Sequence, residues 1–128
     1  VTAEGERLAG TRILVVDDDA DIRGAMSLAL RAEGAVIDGA EDGSIAIHRI
    51  GASRPDVLVL DMMLPGQSGF SVLERCRGLE PPIPVVMVTA NQGRRHAALA
   101  TSLGAAAYLV KPVPLGRLVD AVCAAVGR

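Results

Sequence analysis

Four short apolar runs, each ending in a polar or charged residue, constrain this chain more than any other feature. Ile13-Leu14-Val15-Val16 runs into Asp17-Asp18-Asp19, and Val57-Leu58-Val59-Leu60 runs into Asp61. Val85-Val86-Met87-Val88 runs into Thr89, and Tyr108-Leu109-Val110 runs into Lys111-Pro112. Runs this short and β-branched read as strands buried on both faces, the signature of a parallel sheet. Parallel strands all finish at one edge, where open α/β sheets bind ligands. The polar ends therefore converge into one site holding carboxylates, a hydroxyl and an ammonium. Such groups can hold a divalent cation and a phosphoryl group together.

The segments between the runs alternate helix with strand. Ile22, Ala25, Met26, Ala29 and Leu30 make one apolar helix face, and Gly34 stands at the expected left-handed C-cap. Ala35-Val36-Ile37 reads as a short strand. A second helix is expected over about residues 43–50, stopping at Gly51. Phe70, Leu73 and Cys76 mark a third helix, ended before Pro81-Pro82. The fourth, roughly residues 93–102, is Ala-rich and weakly patterned. Leu115, Leu118, Val119, Val122 and Val126 share one face of the last. The expectation is a single α/β domain with a parallel five-stranded sheet and helices on both faces. Residues 1–10 read as a flexible arm or linker tail, and 11–128 as the domain.

Half of the 128 residues are hydrophobic, yet Phe70 and Tyr108 are the only aromatics, so the core must be aliphatic. The net charge of −2 gives no footprint for nucleic acid or an anionic membrane surface. No apolar run approaches the ~20 residues that span a bilayer, and no segment has a signal-peptide layout. Cys76 and Cys123 are far apart and outside any CxxC or Cys/His cluster. They read as reduced core thiols, which suits the cytoplasm. His48 and His96 read as helix-surface residues.

Asp17, Asp18 and Asp61 brought together repel one another unless a cation sits among them. Mg²⁺ suits such a set, because it takes oxygen ligands and keeps several waters. A carboxylate can itself be the nucleophile, forming an aspartyl phosphate. Phosphoryl transfer then needs positioning and charge neutralisation more than acid–base chemistry. Lys111 is the only lysine among 13 lysine and arginine residues, and its compact charge suits pairing with a carboxylate or a phosphoryl oxygen.

Over about residues 11–126 the chain resembles the receiver domain of two-component response regulators, which include the chemotaxis regulators. The resemblance rests on Ile13 to Asp18, on Asp61 with Met63-Leu64-Pro65-Gly66 and Gly69, on Thr89-Ala90, and on Lys111-Pro112. It implies a flavodoxin-like (βα)5 three-layer sandwich with strand order 2-1-3-4-5. It implies Asp61 as phosphoacceptor, and Asp17 and Asp18 as the acidic pair binding Mg²⁺ with Asp61 and the Met63 backbone carbonyl. Thr89 matches the hydroxyl that engages the phosphoryl group, and Lys111 the lysine that pairs with Asp61 and then the phosphate. The Lys111–Pro112 bond is expected cis. Tyr108 matches the aromatic that turns inward as Thr89 moves, changing the face made by the fourth helix, last strand and last helix. Met63 and Asn91 occupy the places that influence water access to the phosphoryl group, and the apolar Met63 side chain is expected to cover the approach.

The same resemblance implies a histidine kinase or histidine phosphotransfer protein as donor, with a homodimer possible through the switch face. The domain is then a phosphoacceptor that assists its own chemistry, not an enzyme with an external substrate. Leu8 to Arg12 looks like the junction before the receiver of a hybrid histidine kinase, so the parent is either a regulator or such a kinase. Asp19 and Asp21 read instead as helix-start residues, with no metal role expected for Asp21. Ser68 stands where relatives often have Asp, and Val113 where they often have Phe. A degenerate receiver that binds partners without phosphorylation would have lost an acid, Thr89 or Lys111, and none is lost. A dehalogenase-type phosphatase needs a second Asp where this chain has Met63. Dinucleotide binding needs a GxGxxG after the first strand, and there is none.

Overall fold

The structure, a computed structural model, describes residues 6–90 and 93–127. Five strands and five helices alternate: β1 Arg12–Val16, α1 Ala20–Arg31, β2 Val36–Ala40, α2 Gly43–Ala52, β3 Val57–Leu60, α3 Gly69–Arg77, β4 Val85–Thr89, α4 Arg94–Ser102, β5 Ala107–Val110 and α5 Leu115–Ala125. All strand pairs are parallel, in the order β2-β1-β3-β4-β5, the flavodoxin-like arrangement.

The strand alternation sorts the core into two layers. Ile13, Val15, Val57, Val59, Val86 and Val88 face α1 and α5, where they meet Met26, Leu30, Leu118 and Val122. Leu14, Val16, Leu58, Leu60, Val85 and Met87 face the other side, meeting Ala46, Ile50, Val72, Leu73, Cys76 and Ala100. Both faces of the central strands are thus buried, which is why their sequences read as unbroken apolar runs. Both thiols are buried and unbridged.

The edge strand departs from the expected pattern. β2 continues past Ile37 through Asp38 and Gly39, paired with Leu14 and Val15. A sheet edge faces water on one side, so β2 tolerates polar residues the central strands exclude. Helix α2 passes through Gly51 and ends only at Ser53, whose N–H donates to the Arg49 carbonyl.

The expected arm also needs correcting within the described residues, which exclude 1–5. Leu8 is 0 % exposed and packs in the α1/α5 layer, and its N–H donates to the Glu33 carbonyl (2.8 Å). Arg7 pairs with Asp120 of α5 at 2.9 Å. Residues 7–10 form turns on the domain surface. A single leucine anchored by long-range contacts has no periodicity to reveal it.

Candidate functional site

The parallel register brings the polar strand ends together. Val16 pairs with Leu60, and the Asp61 N–H donates to the Val16 carbonyl at 3.0 Å, so Asp17 and Asp61 leave neighbouring strands side by side. Thr89 ends β4, and its carbonyl accepts from the Lys111 N–H at 2.9 Å. The Lys111–Pro112 bond is cis, as expected.

Asp17 is 0 % exposed and Asp61 is 6 % exposed. The Asp17 Oδ1 accepts from the Asp19 N–H (2.9 Å), and its Oδ2 accepts from Lys111 Nζ (2.7 Å). The Asp61 Oδ1 accepts from the Met63 N–H (3.0 Å), and its Oδ2 accepts from the same ammonium (3.1 Å). Lys111 therefore bridges two carboxylates, with the shorter bond to Asp17. Burial pulls the ammonium pKa down, but the hydrogen bonds and charges of Asp17 and Asp61 outweigh it and leave it raised. Asp18 is exposed, and one oxygen each from Asp17, Asp18 and Asp61 lies within 4.8 Å of the others. Three clustered carboxylates, two of them bonded to one ammonium, form a hard-oxygen donor set suited to a divalent cation.

The surroundings fix this arrangement. Asp19 caps α1, its Oδ1 accepting from the N–H groups of Asp21 and Ile22. Ser68 caps α3 by accepting from the Ser71 N–H at 3.2 Å. Gly69 opens α3 directly against the Asp61 loop: a Cβ there would lie 2.4 Å from Met62 Cα and 2.5 Å from the Asp61 carbonyl oxygen. Only glycine allows this approach.

Thr89 is fully buried at the edge of the site. Tyr108 lies half-buried opposite Met87 in the β4–β5 register. Its phenol pKa is raised by burial and then by the charge of Asp61. Met63, two residues after Asp61, is 62 % exposed. Asn91 lies outside the described residues. Two contacts were not foreseen from sequence: the Lys111–Asp17 bond, and a bond from Arg23 Nη1 to the Asp17 carbonyl at 2.7 Å. The second has a legible cause. Helical side chains lean toward the N-terminus, so a long residue in the second turn reaches the loop before the helix.

Comparison with known proteins points to one family. The response regulator receiver domain model matches residues 13–123. A probable transcriptional regulatory protein of Mycobacterium tuberculosis, TcrX, is 40 % identical over 107 residues, covering 84 % of this chain and 46 % of the relative. The chain spans about half the length of the first curated relatives it matches. Among solved structures, a CheY-like receiver domain protein from Methanospirillum hungatei superposes with a TM-score of 0.87 at 27 % identity, covering 93 % of this chain and 95 % of that one. The receiver domain of a putative response regulator, NarL, from M. tuberculosis gives 0.86 at 32 % identity, covering 94 % and 99 %. By sequence, fold and the placement of its acidic strand ends, this chain belongs to the response regulator receiver domain family.

Proposed function

We propose that this domain accepts a phosphoryl group on Asp61 from a phosphohistidine donor, a histidine kinase or a phosphotransfer protein, with Mg²⁺ as cofactor. One observation carries the reading: the Asp61 carboxylate shares the chain's single lysine with Asp17 inside a three-carboxylate cluster. Asp17, Asp18 and Asp61 would hold the Mg²⁺, with the Met63 carbonyl completing the set. The ion supplies neutralisation of phosphoryl oxygen charge.

The remaining chemistry belongs to the chain's own residues. An Asp61 carboxylate oxygen attacks the phosphorus in line, the new O–P bond forming as the P–N bond to the donor imidazole breaks. The departing imidazole takes its proton from solvent. The Met63 N–H orients the nucleophile beforehand. Lys111, kept protonated by its two carboxylates, carries a positive charge to the phosphoryl oxygens. Thr89 supplies a hydroxyl to the same group. Drawing Thr89 inward and letting Tyr108 follow would alter the face of α4, β5 and α5. Leu99 of α4 and Val110 of β5 are exposed apolar residues there, a surface for a partner or a second copy. A receiver of this kind is a switch that assists its own phosphorylation. Among the described residues, no helix is long and apolar enough to cross a membrane.

The test is intact-mass spectrometry after incubation with acetyl phosphate or phosphoramidate and Mg²⁺. One phosphoryl adduct is expected on the wild type and none with chelator. Full modification of an Asp61→Asn variant would overturn the assignment.

A further inference from the structure

We propose that Arg23 is a positioning residue for the acidic loop, fixing the Asp17–Asp18 peptide so that the Asp18 carboxylate is aimed for Mg²⁺. This rests on the reading that Asp17, Asp18 and Asp61 hold that ion.

Arg23 lies in the second turn of α1, above the loop that the helix follows. Its Nη1 donates to the Asp17 backbone carbonyl at 2.7 Å in a partly buried setting. The aliphatic stem crosses the edge strand beside Gly39, where a Cβ would sit 3.5 Å from the Arg23 Cδ, an ordinary contact. Among the described residues, the guanidinium has no ion pair with a carboxylate. Its bond is to the peptide, not to an acid.

That choice of acceptor matters. The Asp17 carbonyl belongs to the planar peptide unit joining Asp17 to Asp18. Holding its oxygen fixes the rotation of that plane, and so the direction in which the Asp18 side chain leaves the backbone. The Asp17 side chain does not need this help, because the Asp19 N–H and Lys111 already engage its two oxygens. Asp18 is exposed, so its direction is inherited from its own backbone. A guanidinium stays charged at every relevant pH and makes a charge-assisted bond to a carbonyl.

Position and charge predict opposite signs. As a bare positive charge near three carboxylates, Arg23 would compete with a divalent cation, and its removal would tighten metal binding. As the clamp on the Asp17–Asp18 peptide, its removal loosens the ligand set and weakens binding.

The experiment is a Mg²⁺ titration of this chain, followed by amide NMR signals of residues 17–19, for wild type, Arg23→Met and Arg23→Gln. The proposal expects the Mg²⁺ dissociation constant to rise roughly five- to tenfold in the variants, the scale of one charge-assisted hydrogen bond. It also expects the Asp18 amide signal to move in metal-free protein, and the acetyl phosphate reaction rate to recover at saturating Mg²⁺. Two variants are used so that poor folding of one leaves the other to decide. Binding as tight as wild type, or tighter, would overturn the role of Arg23. A wild type whose signals ignore Mg²⁺ would instead refute the metal reading, and this proposal with it.

Discussion

At the scale of single residues, the site is organised around one ammonium shared between two carboxylates. Asp17 is the more buried partner and makes the shorter bond, so Lys111 stabilises the resting fold through Asp17 as much as through Asp61. Removing one member of a buried pair leaves the other charge uncompensated. Lys111→Met should therefore destabilise the metal-free protein by about 3 kcal/mol, measured by urea denaturation in chelator. Added Mg²⁺ should restore part of that loss, since it neutralises the same carboxylates. An unchanged midpoint would mean that the pair contributes nothing net. The identities of Asp17, Asp18, Asp61, Thr89 and Lys111 were legible because each follows an apolar run, and parallel strands end together. The sharing of Lys111 was not, because a sequence shows which groups meet and not which oxygen comes nearest.

At the scale of elements, two glycines in helices have opposite meanings. Gly24 sits in the middle of α1 with nothing within 4 Å of the place a Cβ would occupy. Gly24→Ala should stabilise the protein by about 0.5–1 kcal/mol, by restricting the unfolded chain and improving helix propensity. Gly69 begins α3 against the backbone of Asp61 and Met62, so Gly69→Ala must push the helix off the Asp61 loop. It should cost about 1–3 kcal/mol and lower the rate of phosphorylation by acetyl phosphate. Denaturation curves for the pair, with the rate for Gly69→Ala, decide both. The helices with a strong apolar face, α1 and α5, could be read from spacing. The full extent of β2 could not, because Asp38-Gly39 looks like a turn. In the fold it is edge strand, with Asp38 paired to Arg49 at 3.2 Å.

For the molecule as a whole, the protons held more tightly in the fold set its pH limits. Burial pushes the Cys76 thiol up to about 11, against the opposing charges of Arg54 and Arg75. Tyr108 is raised by burial and the Asp61 charge, and Lys111 is raised by its carboxylates. Each group binds its proton more tightly folded than unfolded. Its contribution is complete below the unfolded pKa and is lost as pH rises through the folded one. Stability should therefore fall on the alkaline side, beginning near the ordinary thiol pKa of about 8.5 with Cys76. Thermal midpoints against pH should decline first between about 9 and 11, and Cys76→Ala should flatten that first stretch. A decline unchanged in the variant would place its origin elsewhere. The aliphatic two-layer core behind this burial was readable from composition and run length. The seat of Leu8 was not, since one leucine carries no pattern.

Lys111 is also the only side-chain amine in the sequence. Reagents that attack amines need the neutral form, and two carboxylates hold this one as ammonium. A carbon-13 methyl label, forced onto Nζ slowly at alkaline pH, would add one side-chain resonance at the centre of the site, told from the α-amine signal by its absence in Lys111→Met. Its shift would follow the charge around Asp61 through metal binding, phosphorylation and hydrolysis. The chain has in effect reserved one chemical handle for the place where its state changes.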